Sequence, residues 1–173
     1  MAKFSTKTLS RAGIISALYV VLSIMVLPLA SGAVQIRFGE AMTLLPLFFP
    51  EASVALFVGC IIVNMISGCA LIEVIAGALI TLISALLTGF VGKLIKNKLL
   101  KVIVGGAFPI LFNALLLPLV WYLCYGVLEY VYFIQALLIF AGQTVAIYGL
   151  GSLVCVSLDK ILKKFSLFGN EKE

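Results

Sequence analysis

An arginine and a glutamate lie three residues apart in the stretch VQIRFGEAMTLLP, in a chain of which only 11% is charged. Arg37 and Glu40 could form a salt bridge across one helical turn, and Glu40 would also be favoured by the positive end of the helix dipole. Alternatively, because ionisable groups are costly at membrane depth, an inward-facing pair would mark a ligand site. Gly39 between them would let a ligand or a backbone approach closely. The sequence leaves both interpretations open.

Further polar residues lie in or beside long apolar runs and could belong to the same site. Asn64 and Glu73 flank the Ser67-Gly68 turn, while Asn113 and Gln143 fall near the middle of later runs. Each amide could equally hold helices together by hydrogen bonds. Carboxylates and amides that converge on one outer cavity would instead bind a small polar ligand.

Aromatic residues gather near the ends of the runs that carry these polar groups: Phe38, Trp121, Tyr122, Tyr125, Tyr130 and Tyr132. Most of them fit an interfacial aromatic belt. One or two, with Phe38 and Trp121 as candidates, could stack on a flat heteroaromatic ligand. A planar ring together with a carboxylate that accepts two N–H groups would recognise a guanine-like edge.

The composition indicates an integral membrane protein. Of the 173 residues, 64% are hydrophobic, and the mean hydropathy is +1.27, whereas a soluble domain carries about 25% charged residues. Each apolar run must form a helix that satisfies its own backbone in lipid. We predict one all-α transmembrane domain, residues 1–173, with six spans at 9–29, 41–49, 52–67, 72–94, 102–124 and 130–158. The second span carries Pro46 and is predicted to be short or broken.

The basic residues predict the topology of the chain. Eleven of the twelve precede the first run, separate the fourth from the fifth, or follow the sixth: Lys3, Lys7, Arg11, Lys93, Lys96, Lys98, Lys101, Lys160, Lys163, Lys164 and Lys172. By the positive-inside rule both termini are therefore cytoplasmic, and Arg37 is the exception. The outer face would carry Arg37 and the acids Glu40, Glu73 and Glu129. Since the clusters form no basic stripe, no nucleic-acid partner is expected.

Several classes of protein are disfavoured. The chain has no GxxxxGK[ST] motif for nucleotide phosphates, and four cysteines without CxxC or any histidine do not suggest a metal or haem site, so no cofactor is expected. Scattered serines, threonines and cysteines without a paired base do not favour an enzyme. A small channel or structural subunit remains an alternative. The first run also resembles a signal peptide, but its removal would spoil the charge balance.

The first run carries two pairs of small residues spaced four apart, Ala12 with Ser16 and Gly13 with Ala17. Such pairs allow close helix approach, either within the chain or to another subunit.

Six short spans without an ATPase motif, together with these small residues, are similar to the S component of an energy-coupling-factor (ECF) transporter. Within that class, VQIRFGEAMTLLPLFFPEA followed by LFVGCIIVNMISG resembles the QueT family of queuosine-precursor transporters. Its members carry a similar Q-[FI]-R-x-x-E-A-x-T-x-L-P stretch before a proline, and a G-C-x-x-x-N helix. The resemblance covers residues 34–68 well, and the rest of the chain by hydropathy and length.

The resemblance implies that the chain captures a 7-deazapurine, such as queuine or aminomethyl-deazaguanine, outside a bacterial cell. It also implies docking on a transmembrane T component driven by two ATPase subunits. The residues that match the family motif are Gln35, Arg37, Glu40 and Asn64. Since both precursors carry a basic amine, Glu73 is a candidate to bind it. An S component for another vitamin or purine is the alternative.

Overall fold

The computed structural model describes residues 5–26, 37–126, 128 and 130–169, and side chains as far as residue 161. Within these ranges all regular structure is helical. The α-helices are α1 (Thr6–Met25), α2 (Ala52–Ile66), α3 (Leu71–Leu94), α4 (Lys98–Tyr125), α5 (Tyr132–Thr144) and α6 (Ser152–Gly169). A 3₁₀ helix, Phe38–Leu47, lies between α1 and α2, and a π-helical segment, Val145–Gly151, joins α5 to α6.

Four helical stretches are long and apolar enough to cross a membrane: Thr6–Met25, Leu71–Leu94, Lys98–Tyr125 and the continuous stretch Tyr132–Ile161. The apolar helix α2 has 15 residues and extends about 22 Å. Large apolar side chains such as Leu79, Ile83 and Leu86 of α3 are exposed, as lipid-facing surfaces are. The predicted all-helical membrane fold is confirmed, while six spans and cytoplasmic termini stay predictions.

The second apolar run forms the 3₁₀ helix, which lies in the middle of the molecule. Residues 39–47 are all buried, and the helix contacts α1, α2, α3, α4, the π-helical segment and α6. Its ten residues extend only about 20 Å, against the ~30 Å of a bilayer core. Backbone of this kind is tolerated at membrane depth where protein surrounds it. The predicted short second helix is confirmed, and its neighbours hide it from lipid.

Two glycines allow α1 to approach this central helix and α2. A Cβ on Gly39 would lie 2.0 Å from Ser23 Oγ and 2.9 Å from the Tyr19 carbonyl oxygen. A Cβ on Gly59 of α2 would lie 2.9 Å from the Tyr19 ring. The predicted close approach at Gly39 is confirmed, and the backbone that approaches belongs to α1.

A proline inside α4 is compensated by a neighbouring helix. Pro109 has no N–H, so the carbonyl of Gly105 loses its usual partner within the helix. Thr88 Oγ1 of α3 donates a hydrogen bond to this carbonyl at 2.8 Å. Because water is absent from a bilayer core, such a side-chain donor is needed to satisfy the freed oxygen, and it joins α3 to α4.

Basic residues from separate parts of the sequence meet at one end of the bundle. Arg11 of α1 forms a 2.8 Å ion pair with Glu51, and its guanidinium lies 4.5 Å from the centroid of the Phe49 ring. Lys98 of α4 forms a 2.6 Å ion pair with Asp159 of α6. We call this the basic end. Its composition is in line with the charge argument for topology.

Candidate ligand-binding site

Glu40 lies in the first turn of the 3₁₀ helix and is only 3% exposed. The Tyr19 hydroxyl donates to its Oε1 at 2.8 Å, and Asn113 Nδ2 donates to its Oε2 at 3.5 Å. The carboxylate therefore joins α1, the 3₁₀ helix and α4. Because a carboxylate offers about four acceptor positions, each oxygen retains capacity for another N–H donor.

Arg37 precedes the 3₁₀ helix and turns toward α2. Its backbone is extended (φ −104°, ψ 112°), and its Nη1 donates to Asn64 Oδ1 at 3.3 Å. The ion pairs formed among the described residues are Arg11–Glu51 and Lys98–Asp159, so a direct Arg37–Glu40 salt bridge is not formed. The helical-turn salt bridge is thus wrong, since Arg37 lies outside the helix.

Asn64 links Arg37 to the interior of α2 and α3. Its Nδ2 donates to Cys60 Sγ at 3.6 Å, and Thr81 Oγ1 donates to the same sulfur at 3.4 Å. A Cβ on Gly77 would lie 3.0 Å from Asn64 Nδ2, so α3 packs directly against this amide. Asn64 is buried, and its orientation is fixed on several sides.

A second carboxylate, Glu73, lies in the first turn of α3 and is 8% exposed. Trp121 Nε1 donates to its Oε1 at 2.8 Å, and the Tyr125 hydroxyl donates to its Oε2 at 2.5 Å. The two donors lie one turn apart at the end of α4. Trp121 therefore positions Glu73 through its ring edge, while stacking of its ring face on a ligand stays a prediction.

The turn between α2 and α3 contains Cys69, close to Glu73. Burial, and next the negative charge of Glu73, raise the pKa of the Cys69 thiol to about 11. The thiol is therefore protonated at neutral pH and is a poor nucleophile or metal ligand. All four cysteines are free thiols, and no cluster of potential metal ligands occurs among the described residues.

The two mid-membrane amides are both buried. Asn113 is 4% exposed and bonds Glu40, whereas Gln143 is 1% exposed, and in the described structure neither its oxygen nor its nitrogen has a hydrogen-bond partner. Ile139, one turn before Gln143, packs in one cluster with Ala114. Because a buried unsatisfied polar group costs about 1–3 kcal/mol, the Gln143 amide is a candidate to bond a ligand.

Two side chains that bond the buried carboxylates, Tyr19 and Tyr125, are not among the residues that the sequence predicts for ligand binding. The phenol of Tyr19 lies in the middle of an apolar run, and such a position is a signal for a buried hydrogen bond. Tyr125 belongs to the aromatic group of which most members fit an interfacial belt, and its bond to Glu73 is a tertiary contact. Phe38 is half-buried at the start of the 3₁₀ helix, and Gln35 lies outside the described residues.

The two small-residue pairs of α1 face different surroundings. Ser16 lies against α2, since its oxygens would be 3.3 Å from a Cβ on Gly59, and Ala12 packs on the core. Gly13 and Ala17 are exposed, and a Cβ on Gly13 would meet nothing within 4 Å. One pair therefore serves packing within the chain, and the other lies on the outer surface of the bundle.

A helical bundle with apolar outer faces that encloses carboxylates, an arginine and amides has the arrangement of a multi-pass membrane transporter. The family model described as QueT transporter matches residues 9–160. The chain belongs to this family, which confirms the resemblance drawn from its sequence and makes it a member of a transporter family rather than an enzyme family. No curated protein and no solved structure matches the chain.

Proposed function

We propose that the chain is the S component of an ECF transporter that captures a queuosine precursor at the outer face of a bacterial plasma membrane. The precursor is a 7-deazapurine such as queuine or aminomethyl-deazaguanine, and import is driven by ATP on partner subunits. The observation that carries the proposal is the buried Glu40 carboxylate, held by Tyr19 and Asn113 with acceptor capacity left over. Membership of the QueT transporter family supports it.

The chemistry of a deazaguanine edge complements the residues around Glu40. That edge presents two adjacent N–H donors beside a carbonyl oxygen. Glu40 would accept the two donors, and Arg37, which lies beside Asn64 at 3.3 Å, would donate to the carbonyl. Gln143, with both amide atoms unsatisfied, would bond a further edge of the ring.

Glu73 would bind the basic amine that both precursors carry. Its two oxygens each hold one bond, from Trp121 and Tyr125, so an ammonium group can add a third. Phe38 and Trp121 would stack on the flat ring. Gln35, which matches the family motif, would also contact the ligand. An S component for another vitamin or purine is the second candidate, because carboxylates and amides alone do not select one heterocycle.

Ligand binding by the purified chain tests the substrate. We expect aminomethyl-deazaguanine to raise the melting temperature in detergent, since a ligand at a hundred times its Kd adds about 2.7 kcal/mol of stability. Guanine, which lacks the basic aminomethyl group, should raise the melting temperature less. Adenine, whose hydrogen-bonding edge differs from that of guanine, should not raise it. Stabilisation by an unrelated vitamin and none by deazapurines would establish the alternative.

The exposed pair on α1 supports the second half of the proposal, docking on a T component. We expect Gly13→Leu or Ala17→Leu to abolish retention of the T component in a pull-down, because a leucine fills a surface where helices would approach closely. Binding of aminomethyl-deazaguanine should be unchanged. Ala141→Leu is the matched control, since Ala141 is exposed on α5, and it should retain the partner. Retention by all three variants would exclude this face of α1 as the interface.

A further inference from the structure

A cavity of about 540 Å³ lies at the basic end, away from the residues assigned to the ligand. It is bounded by α4, α6 and the carboxyl end of the 3₁₀ helix, where Leu47 and Phe48 line it. Its volume falls within the ~300–1,000 Å³ of typical small-molecule sites. Neither the fold nor the proposed capture of a deazapurine uses this cavity.

The polar part of the lining is strongly basic. Its charged residues are Lys96, Lys98, Lys101, Lys160 and the acid Asp159, and Ser152 adds a neutral hydroxyl. Lys98 donates to both oxygens of Asp159, at 2.8 and 2.6 Å, so this pair is close to neutral. The remaining three lysines come from the loop before α4, from α4 and from α6, and their positive charges converge on one space. The chemistry that suits such a space is a phosphate or another anion.

The rest of the lining is apolar and continues onto the outer surface of the bundle. Val102 contributes from inside, and Leu99 and Val156, which also line the cavity, are 71% and 55% exposed. A soluble anion would use the lysines and leave these apolar groups without a role. An anionic phospholipid would use both, with its phosphate at the lysines and its acyl chains along the apolar wall.

We infer that this cavity is a binding site for one anionic phospholipid, held between α4 and α6 by Lys96, Lys101 and Lys160. The lipid would lie across the same seam that the Lys98–Asp159 pair closes. Basic pockets between transmembrane helices on the cytoplasmic side bind anionic headgroups in this way. The site is independent of the transported substrate, so it can be tested whether or not a deazapurine binds.

Native mass spectrometry of the detergent-purified chain tests this site with phosphatidylglycerol and phosphatidylcholine of identical acyl chains. We expect one phosphatidylglycerol to be retained in preference to phosphatidylcholine. Each lysine near an anionic headgroup contributes about fivefold in affinity, so Lys101→Gln with Lys160→Gln should weaken retention about 25-fold. The matched control is Lys7→Gln with Lys93→Gln, which removes the same charge at exposed lysines outside the cavity and should change retention less than twofold.

Two further measurements distinguish a lipid site from a site for soluble anions. Val156→Trp fills the apolar wall without a change of charge, and it should weaken phosphatidylglycerol retention while the lipid-free melting temperature stays the same. Inorganic phosphate should not displace the lipid. Three results would each overturn the assignment. They are an equal loss of phosphatidylglycerol retention in the cavity and control double variants, displacement of the lipid by inorganic phosphate, and equal retention of both lipids. The assignment would also be overturned if a partner subunit bound the chain in lipid-free detergent and this binding required Lys96, Lys101 and Lys160.

Discussion

In liposomes that contain this chain alone, aminomethyl-deazaguanine should bind but should not accumulate above its outside concentration, with or without ATP. A hundredfold accumulation requires about 2.7 kcal/mol at each turnover, and this free energy must come from a coupled reaction. The sequence has no GxxxxGK[ST] motif, so no P-loop nucleotide site is available within the chain. Accumulation should appear when the T component and two ATPase subunits are reconstituted with it and ATP is supplied on their side.

The measurement needs a control that separates lack of coupling from loss of the fold. Binding of the ligand to the same proteoliposomes, measured at equilibrium, should equal that of the chain in detergent. A proton gradient should be imposed in a parallel sample, because buried carboxylates such as Glu40 and Glu73 are the groups through which protons would be coupled to transport. Concentrative uptake by the isolated chain under either condition would contradict the S-component proposal.

The long helices could be predicted from the sequence because lipid imposes a simple rule on them. The run predicted at residues 72–94 forms α3, Leu71–Leu94, since an apolar stretch of that length must satisfy its backbone internally. The last run was harder to predict. It continues through the π-helical segment Val145–Gly151 into α6. This segment packs against the 3₁₀ helix, and hydropathy does not report such a contact.

The sequence indicates which polar residues are buried, but not which side chains they bond. The stretch around Arg37 and Glu40 was selected because charge is costly in an apolar chain, and the same cost explains why Glu40 is buried among hydrogen-bond donors. The identity of those donors depends on tertiary packing. Tyr19 lies 21 residues before Glu40 and Asn113 lies 73 residues after it, and no local pattern relates residues at such separations.

The charged pair illustrates why spacing alone could not decide between a salt bridge and a ligand site. Residues three apart face each other only when both belong to one helix. Arg37 has extended backbone and bonds Asn64 of α2 instead. A helix boundary that falls between two residues of a motif therefore redirects one of them, and boundaries are set by the surrounding packing as much as by the sequence.

Glu40→Gln should weaken binding of aminomethyl-deazaguanine between about tenfold and a hundredfold. A hydrogen bond to a charged group contributes roughly 1.5–3 kcal/mol, and each 1.4 kcal/mol is about tenfold in affinity. The glutamine keeps the shape of the side chain, and its oxygen can still accept from the Tyr19 hydroxyl. Its amide nitrogen, however, cannot accept an N–H from the purine edge. The new NH2 group would face Asn113 Nδ2, but the Asn113 amide can turn its oxygen toward it. The melting temperature of the ligand-free protein should therefore change little.

The matched control is Glu51→Gln, which makes the same substitution at the basic end, where Glu51 pairs with Arg11, and it should leave affinity unchanged. A purely structural role for Glu40 predicts the reverse pattern for Glu40→Gln, a lower melting temperature with affinity near wild type.

The variant Arg37→Gln and its combination with Glu40→Gln test whether the two charges stabilise each other. If they did, the double variant would melt higher than Glu40→Gln alone. Because Arg37 bonds Asn64 at 3.3 Å, we expect no such recovery, and wild-type affinity in Glu40→Gln would exclude this carboxylate from the ligand site.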